Sequence, residues 1–265
     1  AIFRQVVRDL SDFTVEGQVY RVDLRLRPWG NAGRLAYATT TARRYYTREA
    51  ELWELQALLK LAPIAGDVDV GHRFLADIRD GISQRIRRAG RDEILRVIRG
   101  LRARAVREHG RSNGAGHDDE LSGTDIKNGE GGIRDIEFLV QGLQLLNHEL
   151  YPQIVTGNTL RALQAMEENG ILSAEEVSSL SNDYLFLRRI EHFLQVYDDR
   201  QLHAIPVERE ARSKLSRVLS GTGTVQVSSE ELLDHLADTL RRVRQRYSEF
   251  VDRSNGTDDA GYAPV

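Results

Sequence analysis

The amino-acid sequence predicts a mainly α-helical protein in which a short β segment near the N-terminus precedes an up-and-down helical bundle. Apolar and charged residues alternate from Arg21 to Arg27, and this period of two is typical of a strand. After Thr40, each long segment carries apolar residues at helical spacing. Most of these segments are joined by short loops, so we expect neighbouring helices to pack antiparallel to each other.

The predicted β segment has one apolar and one charged face. The apolar face consists of Val22, Leu24 and Leu26. The charged face consists of Arg21, Asp23, Arg25 and Arg27. Pro28 and the glycines between positions 30 and 33 predict a turn, and the residues RLAYAT predict a short return strand. We therefore expect a two- or three-stranded remnant of a sheet.

The charged face suits a phosphate ligand. Guanidinium groups bind phosphate oxygens in a bidentate manner, and the carboxylate of Asp23 is a potential ligand for the Mg²⁺ that accompanies a triphosphate. The alternative is a solvent-exposed strand whose charges form ordinary surface ion pairs, which contribute little.

Helices are predicted throughout most of the chain. Their expected ranges are 2–13, 41–61, 70–89, 91–109, 132–149, 158–169, 174–199, 207–219 and 229–253. Ser-x-x-Glu capping boxes, Ser173 with Glu176 and Ser228 with Glu231, mark two of the starts. The long break at 110–131 is rich in Gly, Asp and Asn, so it is either mobile or functional. We expect a region of residues 1–66, a helical bundle of residues 67–253 and a disordered tail of residues 254–265.

Composition excludes several classes of function. The net charge of −3 argues against a nucleic-acid-binding protein. The sequence has no run of about 18 apolar residues and no secretory signal pattern, so we expect a soluble, cytoplasmic protein without a membrane partner. Absence of cysteine excludes disulfides and thiolate metal sites, which favours Mg²⁺ on carboxylates for any bound metal. The chain begins with Ala instead of Met, which indicates part of a longer protein.

A second candidate site is the Gly-rich turn DIKNGEGG and the helix that follows it. The turn carries Lys127, Gly131 and Gly132, and the first turns of the helix carry Asp135 and Glu137. Glycines allow backbone donors to approach an anion, and a helix N-terminus favours negative charge. The alternative is that the glycines cap the helix and the acidic residues compensate its dipole. Glu137 shares an apolar stripe with neighbouring isoleucines, so it requires a partner if it is buried.

A polar stripe on the 174–199 helix is the third candidate. It consists of Tyr184, Arg188, Glu191, His192 and Gln195 at spacings of three and four. Such a stripe inside a bundle either meets a ligand or links helices, and we favour the structural role. His203 is interpreted as a structural residue, since no second residue suggests a catalytic triad or a zinc site.

Four motifs in this order resemble those of the glutamine synthetase adenylyltransferase family. They are YRVDLRLRPWGNAG, YYTREAELWELQALLKLAPIAGD, IKNGEGGIRDIEFLVQ and YLFLRRIEHFLQVYDDRQLHAIP, within residues 18–206. The resemblance extends to polymerase-β-type nucleotidyltransferases, in which a Gly-Ser loop, an Asp-x-Asp pair and a third Asp bind two Mg²⁺ ions and the nucleotide. It implies that residues 1–66 are the C-terminal part of a catalytic domain.

The resemblance assigns roles to single residues. It implies that Asp23 is the third carboxylate, hence a catalytic residue and a metal ligand. Arg25, Arg27 and Lys60 become candidates for phosphate contacts, and the segment 127–137 would close over the nucleotide. No Gly-Ser-Asp-x-Asp precedes Asp23 in this sequence, so we expect this chain alone to be inactive. The sequence also departs from the family by carrying Leu55 and Ala62 where relatives commonly have arginines.

The implied activity is transfer of AMP from ATP to a tyrosine of glutamine synthetase, or its phosphorolytic removal. The chain would belong to one of two similar catalytic halves. Its later motifs favour the N-terminal, adenylyl-removing half, whereas WELQALLK is nearer to the C-terminal, transferring half. Glutamine synthetase and a PII-type signal protein are the implied partners. The alternatives are a related nucleotidyltransferase, such as a uridylyltransferase with another target, and a non-catalytic helical module that docks glutamine synthetase or a PII-type regulator.

Overall fold

A computed structural model describes residues 2–15, 17, 22–109, 121, 123–197, 203–220 and 228–252. Arg21, the residues 110–120 of the long break and the tail 254–265 lie outside the described residues. The chain divides into two compact units, residues 1–90 and 91–265. The functional boundary predicted after residue 66 stays a prediction.

The described residues form nine α-helices, which confirms the mainly helical fold class. They are α1 (Ile2–Ser11), α2 (Thr39–Arg48), α3 (Leu52–Leu58), α4 (Val68–His109), α5 (Ile133–Asn147), α6 (Thr159–Glu168), α7 (Ala174–Tyr197), α8 (Arg209–Ser220) and α9 (Ser229–Asp252). Short 3₁₀ helices occur at Gly30–Ala32 and Pro152–Ile154. Gly90 interrupts α4 with φ of 75°, in agreement with the two separate helices predicted there. No helix in the described part of the chain combines the length and the apolar character that crossing a bilayer requires.

The first unit is organised around aromatic side chains of α2. Tyr45 is buried against the ring of Trp29, with 4.6 Å between ring centroids, and its hydroxyl donates to Glu54 Oε1 at 2.7 Å. Burial and this contact with Glu54 raise the pKa of Tyr45 to about 12. The other oxygen of Glu54 accepts the backbone N–H of Glu51 at 2.7 Å, which starts α3 as a new helix. The helix predicted over 41–61 is therefore two helices.

The predicted β remnant is not found among the residues that the structure describes. Residues 25–29 form turns, and the guanidinium of Arg27 donates to the carbonyls of Leu24, Asn31 and Gly33. Side-chain donors thus satisfy carbonyls that a neighbouring strand would satisfy in a sheet. Since a lone two-stranded hairpin is marginal in water, alternating sequence alone does not hold these residues extended.

The second unit is a helical bundle built around α5. This helix packs against α6, α7 and α9, and most of its residues from Ile133 to Leu145 are buried. Gly142 lets α5 approach its neighbours closely, because a Cβ at this position would lie 2.5 Å from the ring of Phe250 and 2.9 Å from Ile98. The core of the unit is therefore continuous across α5.

Two segments far apart in sequence meet beside α5. Residues 123–126 pair in antiparallel fashion with residues 203–205, through the N–H of Ile126 to the carbonyl of His203 at 2.8 Å and the N–H of Ile205 to the carbonyl of Thr124 at 3.0 Å. This pairing joins the start of the Gly-rich turn to the segment after α7.

Candidate functional site

The carboxylate of Asp125 holds the Gly-rich turn in shape. Its Oδ1 accepts the backbone N–H groups of Lys127 and Asn128, both at 2.8 Å, and its Oδ2 accepts the side-chain amide of Asn128 at 3.0 Å. Asn128 Oδ1 in turn accepts Arg134 Nε at 2.8 Å. Because Asp125 and Asn128 are both buried, the backbone that carries Lys127 is fixed.

Packing leaves no room for a side chain at Gly131 or Gly132 in this turn. Gly131 has φ of 76°, and a Cβ there would lie 1.9 Å from the carbonyl oxygen of Leu240. A Cβ at Gly132 would lie 2.6 Å from the carbonyl oxygen of Ile126. The N–H of Gly131 donates to Asp135 and that of Gly132 to Gly129. Nucleotide binding by Gly131 and Gly132 stays a prediction, and the structure adds a packing reason for their identity.

Asp135 forms a buried ion pair with Arg102. Its two oxygens accept Arg102 Nε at 3.0 Å and Nη2 at 3.1 Å, and Oδ2 also accepts the N–H of Gly131 at 2.8 Å. The guanidinium lies 5.5 Å from the centre of the Tyr247 ring and contacts Glu130, which also pairs with Arg244. Burial lowers the pKa of Arg102, but Asp135 and Glu130 together outweigh burial and raise that pKa. Asp135 thereby joins the turn to α4.

Glu191, on α7, is a fully buried carboxylate with cationic neighbours. Arg188 Nη1 donates to its Oε2. Lys127 Nζ lies 3.0 Å from its Oε1, although the angle is not that of a hydrogen bond, and His203 Nδ1 lies 3.6 Å from the same oxygen. The structure thus brings the predicted residue Lys127 to the predicted stripe of α7. We call Lys127, Arg188, Glu191 and His203 the Glu191 cluster.

The pKa of His203 lies below its ordinary value in this cluster. Burial lowers the pKa of His203, and the charge of Lys127 lowers it further, while Glu191 acts in the opposite direction with less effect. The position of His203 is fixed by the backbone pairing with Ile126. The fixed cations of the cluster are therefore Lys127 and Arg188.

The remaining predicted residues occupy separate positions. Asp23 is exposed and pairs with Arg25, whose Nη2 lies 2.6 Å from Oδ2 and whose backbone N–H donates to Oδ1 at 2.9 Å. Arg27 binds the carbonyls of its own turn. Lys60 is exposed just after α3, and Glu137 is half-buried on α5. The first unit contains four predicted site residues, and the structure places two of them, Asp23 and Arg25, in an ion pair.

The described residues do not by themselves fit a Mg²⁺ site. Within the described ranges, no three His, Asp or Glu side chains are grouped closely enough to hold a metal ion. The carboxylate of Asp23 accepts several donors of Arg25, whereas Mg²⁺ requires several oxygen ligands in octahedral geometry.

Sequence reasoning missed Arg102 and ranked the polar stripe of α7 as structural. Arg102 stands 33 residues from its partner Asp135, and its local sequence contains several other arginines. The burial of Glu191 could be predicted, because apolar residues surround it on most sides of its helix. Its contact with Lys127 had no signal in the sequence.

Comparison with known proteins gives the class to which the chain belongs. Residues 99–251 match the family model of the GlnD PII-uridylyltransferase, and residues 1–77 match that of the glutamate-ammonia ligase adenylyltransferase. A bifunctional glutamine synthetase adenylyltransferase/adenylyl-removing enzyme of Xanthomonas axonopodis pv. citri (strain 306) is 37% identical over 248 residues, 94% of this chain and 25% of the relative. Enzymes with the same description are 30% identical over 255 residues in Hahella chejuensis (strain KCTC 2396), and 37% identical over 253 residues in Stenotrophomonas maltophilia (strain K279a).

The mainly helical fold and these matches place the chain among families that are named as adenylyltransferases and uridylyltransferases. The chain belongs to the glutamine synthetase adenylyltransferase family, and its helical part belongs to the GlnD PII-uridylyltransferase family. It spans about a quarter of the length of the curated relatives it matches.

Proposed function

We propose that the chain is part of an adenylyltransferase that transfers AMP from ATP to a tyrosine of glutamine synthetase or removes it by phosphorolysis. The observation that carries this proposal is the match of 94% of the chain to relatives described as adenylyltransferase/adenylyl-removing enzymes. Glutamine synthetase is the proposed protein substrate, ATP the nucleotide and the cytoplasm the location.

In this proposal, the N-terminal segment contributes to the catalytic domain. Residues 22–27 become a strand when the remainder of the catalytic sheet pairs with them, and Asp23 supplies one carboxylate to Mg²⁺. Arg25, Arg27 and Lys60 contact phosphate oxygens. The exposure of Asp23 and Arg25 supports this, because an exposed pair exchanges partners at little cost.

The helical unit carries the remaining candidate residues for nucleotide contacts. Lys127 is the strongest candidate for a phosphate contact, since its side chain remains partly exposed beside Glu191. Gly131, Gly132 and Asp135 keep the turn in the conformation that presents Lys127, and Glu137 follows on α5.

A second candidate function is a non-catalytic module that docks a PII-type signal protein. The match of residues 99–251 to the PII-uridylyltransferase model supports it, because that family is described by its PII substrate. The two functions are compatible within one long enzyme.

Substitution of Asp23 by Asn in the full-length protein tests the catalytic proposal. Either incorporation of labelled AMP into glutamine synthetase or its phosphorolytic removal, whichever reaction this half catalyses, is expected to fall by about a hundredfold or more, since a lost preorganised charge removes roughly 3 kcal/mol of transition-state stabilisation. Thermal stability is expected to change little. Asp9→Asn, at an exposed position of α1, is the matched control. An active but clearly destabilised Asp23→Asn enzyme would instead assign Asp23 to charge balance with Arg25.

A further inference from the structure

The Glu191 cluster contains an arrangement that a purely structural ion pair does not require. One fully buried carboxylate is shared by two cations that come from different segments, Lys127 from the Gly-rich turn and Arg188 from α7 itself. A single cation is sufficient to compensate a buried carboxylate. The second cation therefore leaves an excess of positive charge beside His203.

Within the part of the chain that the structure describes, neighbouring charges do not remove this excess. Asp125 and Arg134 are the further charged groups there that act on the pKa of His203. Asp125 is engaged by the N–H groups of Lys127 and Asn128, and Arg134 is held by Asn128. These two opposite charges compensate each other, so the cluster retains a net charge of about +1.

The two cations contact buried Glu191 on one side and remain partly exposed to solvent on the other. Glu191 is 0% exposed, whereas the side chains of Lys127 and Arg188 are 30% and 35% exposed. The second terminal nitrogen of Arg188 lies 3.2 Å from His192 Nε2, which fixes the plane of the guanidinium. Nδ1 of His203 is buried and has no hydrogen-bond partner. Cations that are held in place before binding lose little conformational freedom when an anion arrives.

We propose that Lys127 and Arg188, held by Glu191, form a binding site for a phosphate group. A phosphate carries between one and two negative charges and accepts several hydrogen bonds, which matches one ammonium beside one guanidinium. A divalent cation would be repelled by the excess positive charge. Glu191 is a positioning residue in this site, because it acts on the ligand through the two cations.

The phosphate group has two possible sources, a nucleoside triphosphate and free inorganic phosphate. This choice of ligands rests on the proposed function, in which ATP is the AMP donor and phosphate the attacking group of the removal reaction. Titration of the chain with ATP and, separately, with inorganic phosphate distinguishes them. Competition between the two ligands would indicate one shared site.

The experiment compares Lys127→Met with Lys214→Met by calorimetric titration. Lys214 is a matched control, because it pairs with Glu210 on the surface of α8. Lys127→Met is expected to weaken binding of ATP, of phosphate or of both by about tenfold or more, as the loss of a charge-assisted hydrogen bond implies. Lys214→Met is expected to bind as the unchanged chain does.

Glu191→Gln separates a binding site from a structural ion pair. The amide keeps the size of the side chain but leaves two cations uncompensated, so the melting temperature without ligand is expected to fall. Phosphate is then expected to raise the melting temperature more than it does in the unchanged chain, since the external anion replaces the missing charge. A structural ion pair predicts the fall in melting temperature without the larger response to phosphate.

The proposal is overturned if neither ligand binds saturably to the folded chain, or if Lys127→Met and Lys214→Met have equal dissociation constants for both ligands. These outcomes are independent of AMP transfer. A full-length enzyme that fails to modify glutamine synthetase would refute the proposed function while phosphate binding by the cluster persisted.

Discussion

Replacement of Asp135 by Asn tests whether the Gly-rich turn is held by a buried ion pair. Asp135 accepts two hydrogen bonds from Arg102 and one from the N–H of Gly131, and its side chain is 2% exposed. An asparagine of the same shape keeps one acceptor oxygen. It also turns an amide N–H₂ toward the guanidinium or toward Gly131, so at least one buried donor loses its acceptor.

The expected loss of stability is about 3 kcal/mol. Removing one partner of a buried ion pair costs roughly 3–5 kcal/mol, because the remaining charge is uncompensated. The lower end applies here, since Arg102 retains a contact with Glu130 at 3.3 Å and is itself partly exposed. For a unit of this size, about 3 kcal/mol corresponds to a fall of roughly 6–12 °C in melting temperature.

Asp238→Asn is the matched control, because Asp238 pairs with Arg241 on the exposed surface of α9 and is itself 57% exposed. This substitution is expected to change the free energy of unfolding by less than about 0.5 kcal/mol. Urea unfolding followed by circular dichroism measures both variants. Equal stabilities of Asp135→Asn and Asp238→Asn would refute the reasoning. Weaker ATP binding at unchanged stability would support the predicted nucleotide contact of Asp135 instead.

Three further predictions concern the second unit. Gly131→Ala is expected to destabilise the chain by more than about 2 kcal/mol, because residue 131 has a left-handed φ and the added Cβ would clash with the carbonyl of Leu240. Gly100→Ala is the control and is expected to stabilise the chain, because Gly100 lies in open space within α4. Urea unfolding that ranks the two variants in the opposite order would contradict this packing. Because the pKa of His203 is lowered in the folded state, the unfolded chain binds more protons than the folded chain as the pH falls below about 6.5. Acidification is therefore expected to lower the free energy of unfolding more in the unchanged chain than in His203→Gln. Parallel curves of unfolding free energy against pH for the two proteins would exclude this. Residues 91–252 are expected to unfold cooperatively by themselves, and a gradual thermal transition of this segment would show that its core depends on the first unit.

Local sequence signals predicted the helices well. Both capping boxes are confirmed, since the Ser173 and Ser228 hydroxyls accept the N–H groups of Glu176 and Glu231 at 3.2 and 3.1 Å. The break at Gly90 was also readable, as a glycine between two periodic segments. These features depend on residues within one turn of each other, so the sequence alone contains the information.

Local sequence patterns could not predict structure that depends on a partner residue elsewhere in the chain. The alternation from Val22 to Arg27 satisfies the pattern of a strand, but a strand also requires a neighbour that supplies donors and acceptors. In the structure, the guanidinium of Arg27 supplies donors to the turn carbonyls. The same limit applies to Asp135, whose position at a helix start after a Gly-rich turn gave no indication of its partner. Its buried partner Arg102 lies in another helix.

The Glu191 cluster depends on the register of the short pairing between residues 123–126 and 203–205. Side chains alternate across such a pairing, so a slip of one residue would turn His203 away from Glu191 and bring Ala204 toward it. The same pairing fixes Ile126, the residue directly before Lys127. The spacing of the α7 stripe places Arg188 and Glu191 together by helical geometry alone, but burial of that carboxylate requires the two distant segments to meet in this register. The charge excess that we assign to phosphate binding is therefore a property of the folded unit and of its non-local pairing, which no helix in isolation would possess.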